Sequence, residues 1–160
     1  MRIIGIILII LSSCLFGRWF RLERDRAVSE LYSFLCFLKF ASERANFSFE
    51  PTSATARRYT DSFLEDEGFL VSLREGTGLS SAVSALVPNL KIDGSHKTEI
   101  LTLSRGIEDG SCEDYRRGLG ALVGAVEKIY LSVSDTEAKH SRAIRVTALA
   151  GGLGLAILML

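Results

Sequence analysis

The sequence predicts an all-α protein, an antiparallel bundle of about five or six helices whose first and last members are transmembrane helices. Three observations lead to this prediction. Apolar residues in the central region recur at helical spacing, without the sustained alternation that is typical of strands. Only 2 prolines occur in 160 residues, and proline interrupts helices. Both ends of the chain are apolar runs that contain no charged residue.

The two apolar runs cover residues 3–17 and 146–160, with 15 residues in each. This is slightly short of the roughly 17–25 residues that a spanning helix uses. Basic side chains beside a run extend its effective length, because the stem lies along the apolar zone while the charge reaches the interface. We therefore predict an N-terminal transmembrane helix at 1–20, a cytoplasmic helical domain at 21–145 and a C-terminal transmembrane helix at 146–160.

The orientation follows from basic residues that flank both runs on the side of the central domain. Such residues stay in the cytoplasm, so the central domain is predicted to be cytoplasmic. The flanking residues are Arg18, Arg21, Arg24, Arg26, Lys139, Arg142 and Arg145.

Two other interpretations of the runs remain open. The segment Leu11-Ser12-Ser13-Cys14 resembles the cleavage box of an exported bacterial lipoprotein that is lipidated at Cys14. Against this, the apolar run continues to Gly17 and arginines follow it. Alternatively, the runs are buried helices of a water-soluble core, although helices that are apolar on every side are hard to bury in so small a domain.

The first helix is predicted to continue from Trp19 to about Ala45, and Pro51 then breaks it, because the residue before a proline avoids helical geometry. A short second helix is predicted from Pro51 or Thr52 to about Tyr59. The apolar stripe of the first helix consists of Val28, Leu31, Leu35 and Leu38, widened by Phe34, Phe37 and Ala41.

The third helix is predicted as one segment that begins with a capping box at Ser62 and Glu65 and ends at Gly76 and Gly78. A fourth helix is predicted from Leu79 up to Pro88.

Ser95, after the turn signal Asp93-Gly94, is predicted to cap a fifth helix. The last helix has the most regular pattern and is predicted to continue through Lys139 into the second apolar run. Its stripe consists of Leu119, Leu122, Val123, Val126, Ile129, Tyr130 and Val133.

No pattern for catalysis or for binding a cofactor or metal is found. The 19 basic and 19 acidic residues give a formal net charge of zero, which argues against nucleic acid as a partner, since such proteins carry a basic surplus. His96 and His140 have no metal-ligand spacing, and the three cysteines have no paired spacing. We predict a protein that is not an enzyme and that holds no cofactor or metal.

Several features in a fixed order resemble one family. They are the apolar run that opens into arginines (3–26), the break Phe-Ser-Phe-Glu-Pro-Thr (47–52), the segment Gly-Leu-Ser-Ser-Ala (78–82) and the basic then glycine-containing aliphatic end (139–160). In this order and spacing the chain resembles the stage III sporulation protein AB family of endospore-forming Firmicutes.

This resemblance implies a non-catalytic component of a secretion-like complex in the mother-cell membrane around the forespore. The central domain is expected to be similar to a cytoplasmic domain of the platform protein of type II secretion and type IV pilus systems. The implied partners are other proteins of the sporulation stage III complex, including a cytoplasmic ATPase, together with the lipid bilayer. Self-association into a homo-oligomer is left open.

An acidic surface is the predicted contact for a protein partner, with a merely solvated acidic face as the alternative. Its residues are Glu65, Asp66, Glu67, Glu108, Asp109, Glu113 and Asp114.

Overall fold

The structure, a computed structural model, describes the backbone of residues 2–48, 50–107 and 112–158, and the side chains of residues 25–48, 50–107 and 112–136. These residues form helices joined by turns and contain no strand, so the all-α prediction is confirmed. The helices are α1 (Arg2–Ser48), α2 (Thr52–Arg58), α3 (Ser62–Asp66), α4 (Phe69–Arg74), α5 (Leu79–Leu86), α6 (Gly94–Arg105) and α7 (Cys112–Leu158).

The chain divides into two compact units, one of residues 1–26 and 132–160, the other of residues 27–131. In the first unit the described backbone is helical, as the N-terminal part of α1 and the C-terminal part of α7. The predicted membrane segments at 1–20 and 146–160 lie where side chains are outside the described residues. Among the residues that the structure does describe, none of the helices is both long and apolar enough to span a bilayer.

The core of the second unit is built on the stripes of its two long helices. In α1 the predicted positions Leu31, Leu35 and Leu38 are buried, as are their neighbours Phe34 and Phe37. This agreement follows from helical periodicity, because residues three and four positions apart share a face.

The stripe of α7 lies in the same core. The predicted positions Leu119, Leu122, Val126 and Ile129 are buried, whereas Tyr130 at the edge of the stripe is half-buried. Burial of each such side chain contributes about 1.5–3 kcal/mol.

Within this unit α1 and α7 are antiparallel. The Tyr32 and Tyr130 rings lie 5.6 Å apart, and Lys39 Nζ lies 2.6 Å from a Glu127 carboxylate oxygen. Farther along, Arg116 Nε donates to the Ala45 carbonyl oxygen at 3.0 Å. The contacting residue numbers fall along α7 as they rise along α1, so residues 27 and 131 lie at the same end of the unit.

An aromatic cluster lies between α1 and the short helices, and its five members are Phe34, Phe37, Phe40, Tyr59 and Phe69. The Phe69 ring packs edge-on against Phe34 and Phe37, at centroid distances of 5.8 and 5.2 Å. Helix α4 also contacts α2, α3 and α5, and α5 contacts α6. The short helices therefore pack as one layer, with α4 at its centre.

The predicted single helix from Ser62 to Gly76 is wrong, because Gly68 breaks it into α3 and α4. Gly68 has φ +73°, a conformation that glycine adopts without the penalty that other residues meet. The predicted cap is also one residue off: Asp61, not Ser62, accepts the hydrogen bond from Leu64 N at 3.0 Å. This break contributes to a total of seven helices in the described residues, where five or six are predicted.

The predicted cap at Ser95 is wrong as well. Helix α6 begins at Gly94, with Asp93 in the capping position, so Ser95 lies within the first turn. The predicted second helix and the continuity of the last helix agree with α2 and α7.

Candidate functional site

The basic residues predicted to flank the membrane lie in α1 and α7. Arg26 is exposed. The side chains of the other six, Arg18, Arg21, Arg24, Lys139, Arg142 and Arg145, lie outside those described. Their backbone is helical, so each run and its flanking arginines or lysine belong to one helix.

The first part of the predicted acidic surface lies on α3 and in the turn that follows it. Glu65 accepts a hydrogen bond from Arg74 Nη2 at 2.7 Å, and Glu67 accepts one from Asn89 Nδ2 at 2.6 Å. Asp66 is exposed between them. Glu65 and Glu67 therefore connect parts of the fold. Of these three acidic residues, Asp66 is the one that we select for testing contact with a protein partner.

The second part of the acidic surface begins α7. Glu113 and Asp114 lie in the first helical turn, where negative charge is favoured by the helix dipole. Both are exposed, and an Asp114 carboxylate oxygen lies 3.9 Å from Arg117 Nη1. Glu108 and Asp109 are outside the described residues. The predicted contact with a partner stays a prediction for all seven acidic residues.

Arg74 connects three of the short helices, α2, α3 and α4. It donates from Nε to the Ala56 carbonyl oxygen at 3.0 Å and from Nη2 to that of Tyr59 at 2.9 Å, in addition to its contact with Glu65. The Ala56 carbonyl lies near the end of α2, where helix carbonyls lack partners within the helix. Arg74 supplies such a partner and thereby fixes α2 and α3 to α4.

A cleft of about 300 Å³ lies between the end of α1 and the beginnings of α2 and α7. The residues lining it are Ala45, Glu50, Pro51, Thr52, Cys112, Tyr115 and Arg116. The Thr52 and Tyr115 hydroxyls are hydrogen-bonded to each other. Burial raises the pKa of Tyr115, and the hydrogen bond to Thr52 partly opposes that effect. The phenol is therefore protonated at neutral pH and serves here to join α2 to α7.

Tyr59 is a second tyrosine with an altered environment. Its ring lies 5.4 Å from those of Phe37 and Phe40. Burial, with a smaller contribution from nearby Cys36, raises the pKa of Tyr59 to about 12.

No cluster of three or more metal-ligating side chains is found among the described residues. The Thr52–Tyr115 and Arg116–Ala45 hydrogen bonds at the cleft hold helices together.

The connecting residues Arg74 and Arg116 are not found by sequence reasoning. Both donate to backbone carbonyl oxygens of other helices. Every residue has a backbone carbonyl, so the residue type does not identify the acceptor. Arg116 meets the last turn of α1 through a contact 71 residues away in the chain. No sequence motif connects positions so far apart.

Comparison with known proteins identifies no relative: neither a family model, nor a curated protein, nor a solved structure matches the chain.

Proposed function

We propose that the chain is a non-catalytic, membrane-anchored structural component of the sporulation secretion-like complex between mother cell and forespore. The two terminal runs form transmembrane helices in the mother-cell membrane around the forespore. The central domain is cytoplasmic, and it serves as a platform for the ATPase and for membrane partners of the complex.

One observation carries this proposal. The central parts of α1 and α7 are antiparallel, and residues 27 and 131 lie at one end of their unit. Each helix is continuous with an apolar run, α1 towards residue 2 and α7 towards residue 158. Two terminal membrane anchors require that the chain enter and leave the cytoplasmic domain at the same end, and this arrangement satisfies that requirement.

The rest of the unit supports a role in binding protein. Arg74 joins α2 and α3 to α4, and the aromatic cluster packs α4 against α1. Asp66 and Glu113 are exposed on that unit. Exposed charges of this kind favour encounter with a partner of opposite charge, and the ATPase is the partner that we assign to them.

Deletion of the protein in its host tests the proposal. The deletion strain is expected to stop spore development after engulfment, and the wild-type chain supplied in trans is expected to restore spore formation. The variant Asp66→Lys, Glu113→Lys is expected to restore spores poorly, because it reverses the charge of the partner surface. A matched control reverses Glu75, which is also exposed, and should restore spores fully.

Normal spore formation in the deletion strain would exclude the proposed function. Full restoration by the Asp66 and Glu113 variant would exclude the acidic contact while leaving the scaffold role intact.

A further inference from the structure

The outer side of the α1–α7 pair carries an exposed patch that is partly apolar and partly charged. We define the seam face as Tyr32 and Lys39 on α1 with Glu127 and Leu131 on α7. Tyr32 is 53% exposed and Leu131 is 60% exposed. The side chains of Lys39 and Glu127 are 46% and 45% exposed, and they contact each other across the seam. Tyr32 and Leu131 are two of the four large hydrophobic residues that are exposed in the described part of the chain.

The α7 side of the seam face carries two glycines. Gly120 and Gly124 precede Glu127 and Leu131 at steps of four, three and four, so all four share one side of the helix. Both glycines are exposed, and a Cβ at either would meet no atom within 4 Å. Glycine within a helix costs about 1 kcal/mol relative to alanine, and no close contact among the described residues requires either one.

We propose that a second copy of this chain docks on the seam face, related by a two-fold axis parallel to α1 and α7. A rotation of 180° about this axis does not shift the helices along their length. It therefore places α1 of one copy opposite α7 of the other copy, at the same level. Lys39 then faces Glu127 of the second copy, and Tyr32 faces Leu131 of the second copy. The charged residues of this face are therefore self-complementary in the dimer.

The symmetry axis is also the one that suits two copies anchored in one membrane. Rotation about an axis parallel to the helices leaves both copies pointing in the same direction. The dimer extends the proposed function without depending on the sporulation complex, because the association is measured on the purified chain alone.

Charge reversal followed by mixing tests the proposal. The full-length chain is purified in detergent, and its mass is measured by sedimentation equilibrium over a range of concentrations. The wild type is expected to dimerise. Lys39→Glu alone and Glu127→Lys alone each place like charges opposite each other twice, by symmetry, and should raise the dissociation constant of the dimer at least about tenfold. The control Lys91→Glu, at another exposed position, should dimerise as the wild type does.

An equal mixture of the two charge-reversed chains, carrying different tags, is expected to recover a mixed dimer of near wild-type affinity. In the mixed dimer, opposite charges face each other at both contacts between the chains. Mixing does not restore the Lys39–Glu127 ion pair within either chain, so recovery of the dimer would report on the contacts between chains. A monomeric wild type, charge-reversed chains that dimerise normally, or a mixture that stays monomeric would overturn the proposal.

A second variant protects the test against misfolding. Leu131→Glu changes an exposed side chain and should weaken the dimer while leaving helix content, measured by circular dichroism, unchanged. Val71→Glu, at a position that is 44% exposed on α4, is its matched control and should dimerise normally. Normal dimerisation of the Leu131 variant would also overturn the proposal.

Discussion

Replacement of Arg74 by methionine tests how the short helices are held together. Methionine keeps most of the apolar stem and removes all three polar contacts, to Ala56, Tyr59 and Glu65. Hydrogen bonds from the guanidinium to the two carbonyls contribute about 1 kcal/mol each. The Arg74 side chain is 31% exposed and that of Glu65 is 36% exposed, so the ion pair is partly screened and contributes about 0.5 kcal/mol. We expect the free energy of unfolding to fall by about 2–3 kcal/mol.

The assay is urea denaturation of the full-length chain in mild detergent, followed by far-ultraviolet circular dichroism. Hydrogen exchange measured by mass spectrometry on the same samples locates the effect, and we expect faster exchange in α2 and α3. Arg57→Met is the matched control, because Arg57 is exposed on α2 and its replacement removes the same charge. Equal stability of the Arg74 and Arg57 variants would refute the assignment of Arg74 as the connecting residue.

Three further predictions concern a cap, the glycines of α7 and a tyrosine. Asp61→Ala should lower the free energy of unfolding by about 1 kcal/mol through loss of the α3 cap, and Ser62→Ala should change it little; equal effects in denaturation would contradict the cap assignment. Gly124→Ala should raise the free energy of unfolding of the monomer by up to about 1 kcal/mol. Gly118→Ala should not raise it, because the added Cβ would lie 3.0 Å from Ile107 Cγ1. Greater stabilisation by Gly118→Ala than by Gly124→Ala in the same denaturation assay would contradict this prediction. Because the pKa of Tyr59 is raised to about 12, the stability that its neutral phenol contributes is complete below pH 10 and is lost as the pH rises from 10 to about 12. Tyr59→Phe should therefore lose less stability than the wild type over this pH range in alkaline denaturation. An unchanged pH profile would show that the phenol ionises normally.

The long helices were predictable from sequence because their core positions repeat with helical period. Leu31, Leu35 and Leu38 in α1, and Leu122 and Val126 in α7, lie on stripes that any fold must bury. Such stripes define the buried face of a helix without information about its neighbours.

The break between α3 and α4 was not predictable from the apolar pattern. Phe63, Leu64, Leu70 and Leu73 fit one helical stripe, and the interruption depends on the backbone conformation at Gly68. A glycine inside a helical pattern is also compatible with an unbroken helix. The apolar pattern therefore predicts helical structure in this segment correctly, but it does not predict the break between α3 and α4.

The contacts across the fold could not be derived from the sequence. Lys39 and Glu127 are 88 positions apart, and Tyr32 and Leu131 are ordinary members of helical segments until the two helices are placed side by side. The acidic surface could be located in the sequence because charge is visible there. That Glu65 and Glu67 already have partners within the chain is visible only in the folded unit.

The most direct test of the central claim is the accessibility of Cys112 in intact cells. Cys112 is exposed in the central unit, whereas Cys36 is half-buried, so a chain in which Cys14 and Cys36 are replaced by alanine carries one reporter in a suitable position. In vegetative cells in which expression of this chain is induced, a maleimide that does not cross membranes should leave Cys112 unlabelled while the cells are intact and should label it after permeabilisation. Labelling without permeabilisation would place residues 27–131 outside the cytoplasm and contradict the account.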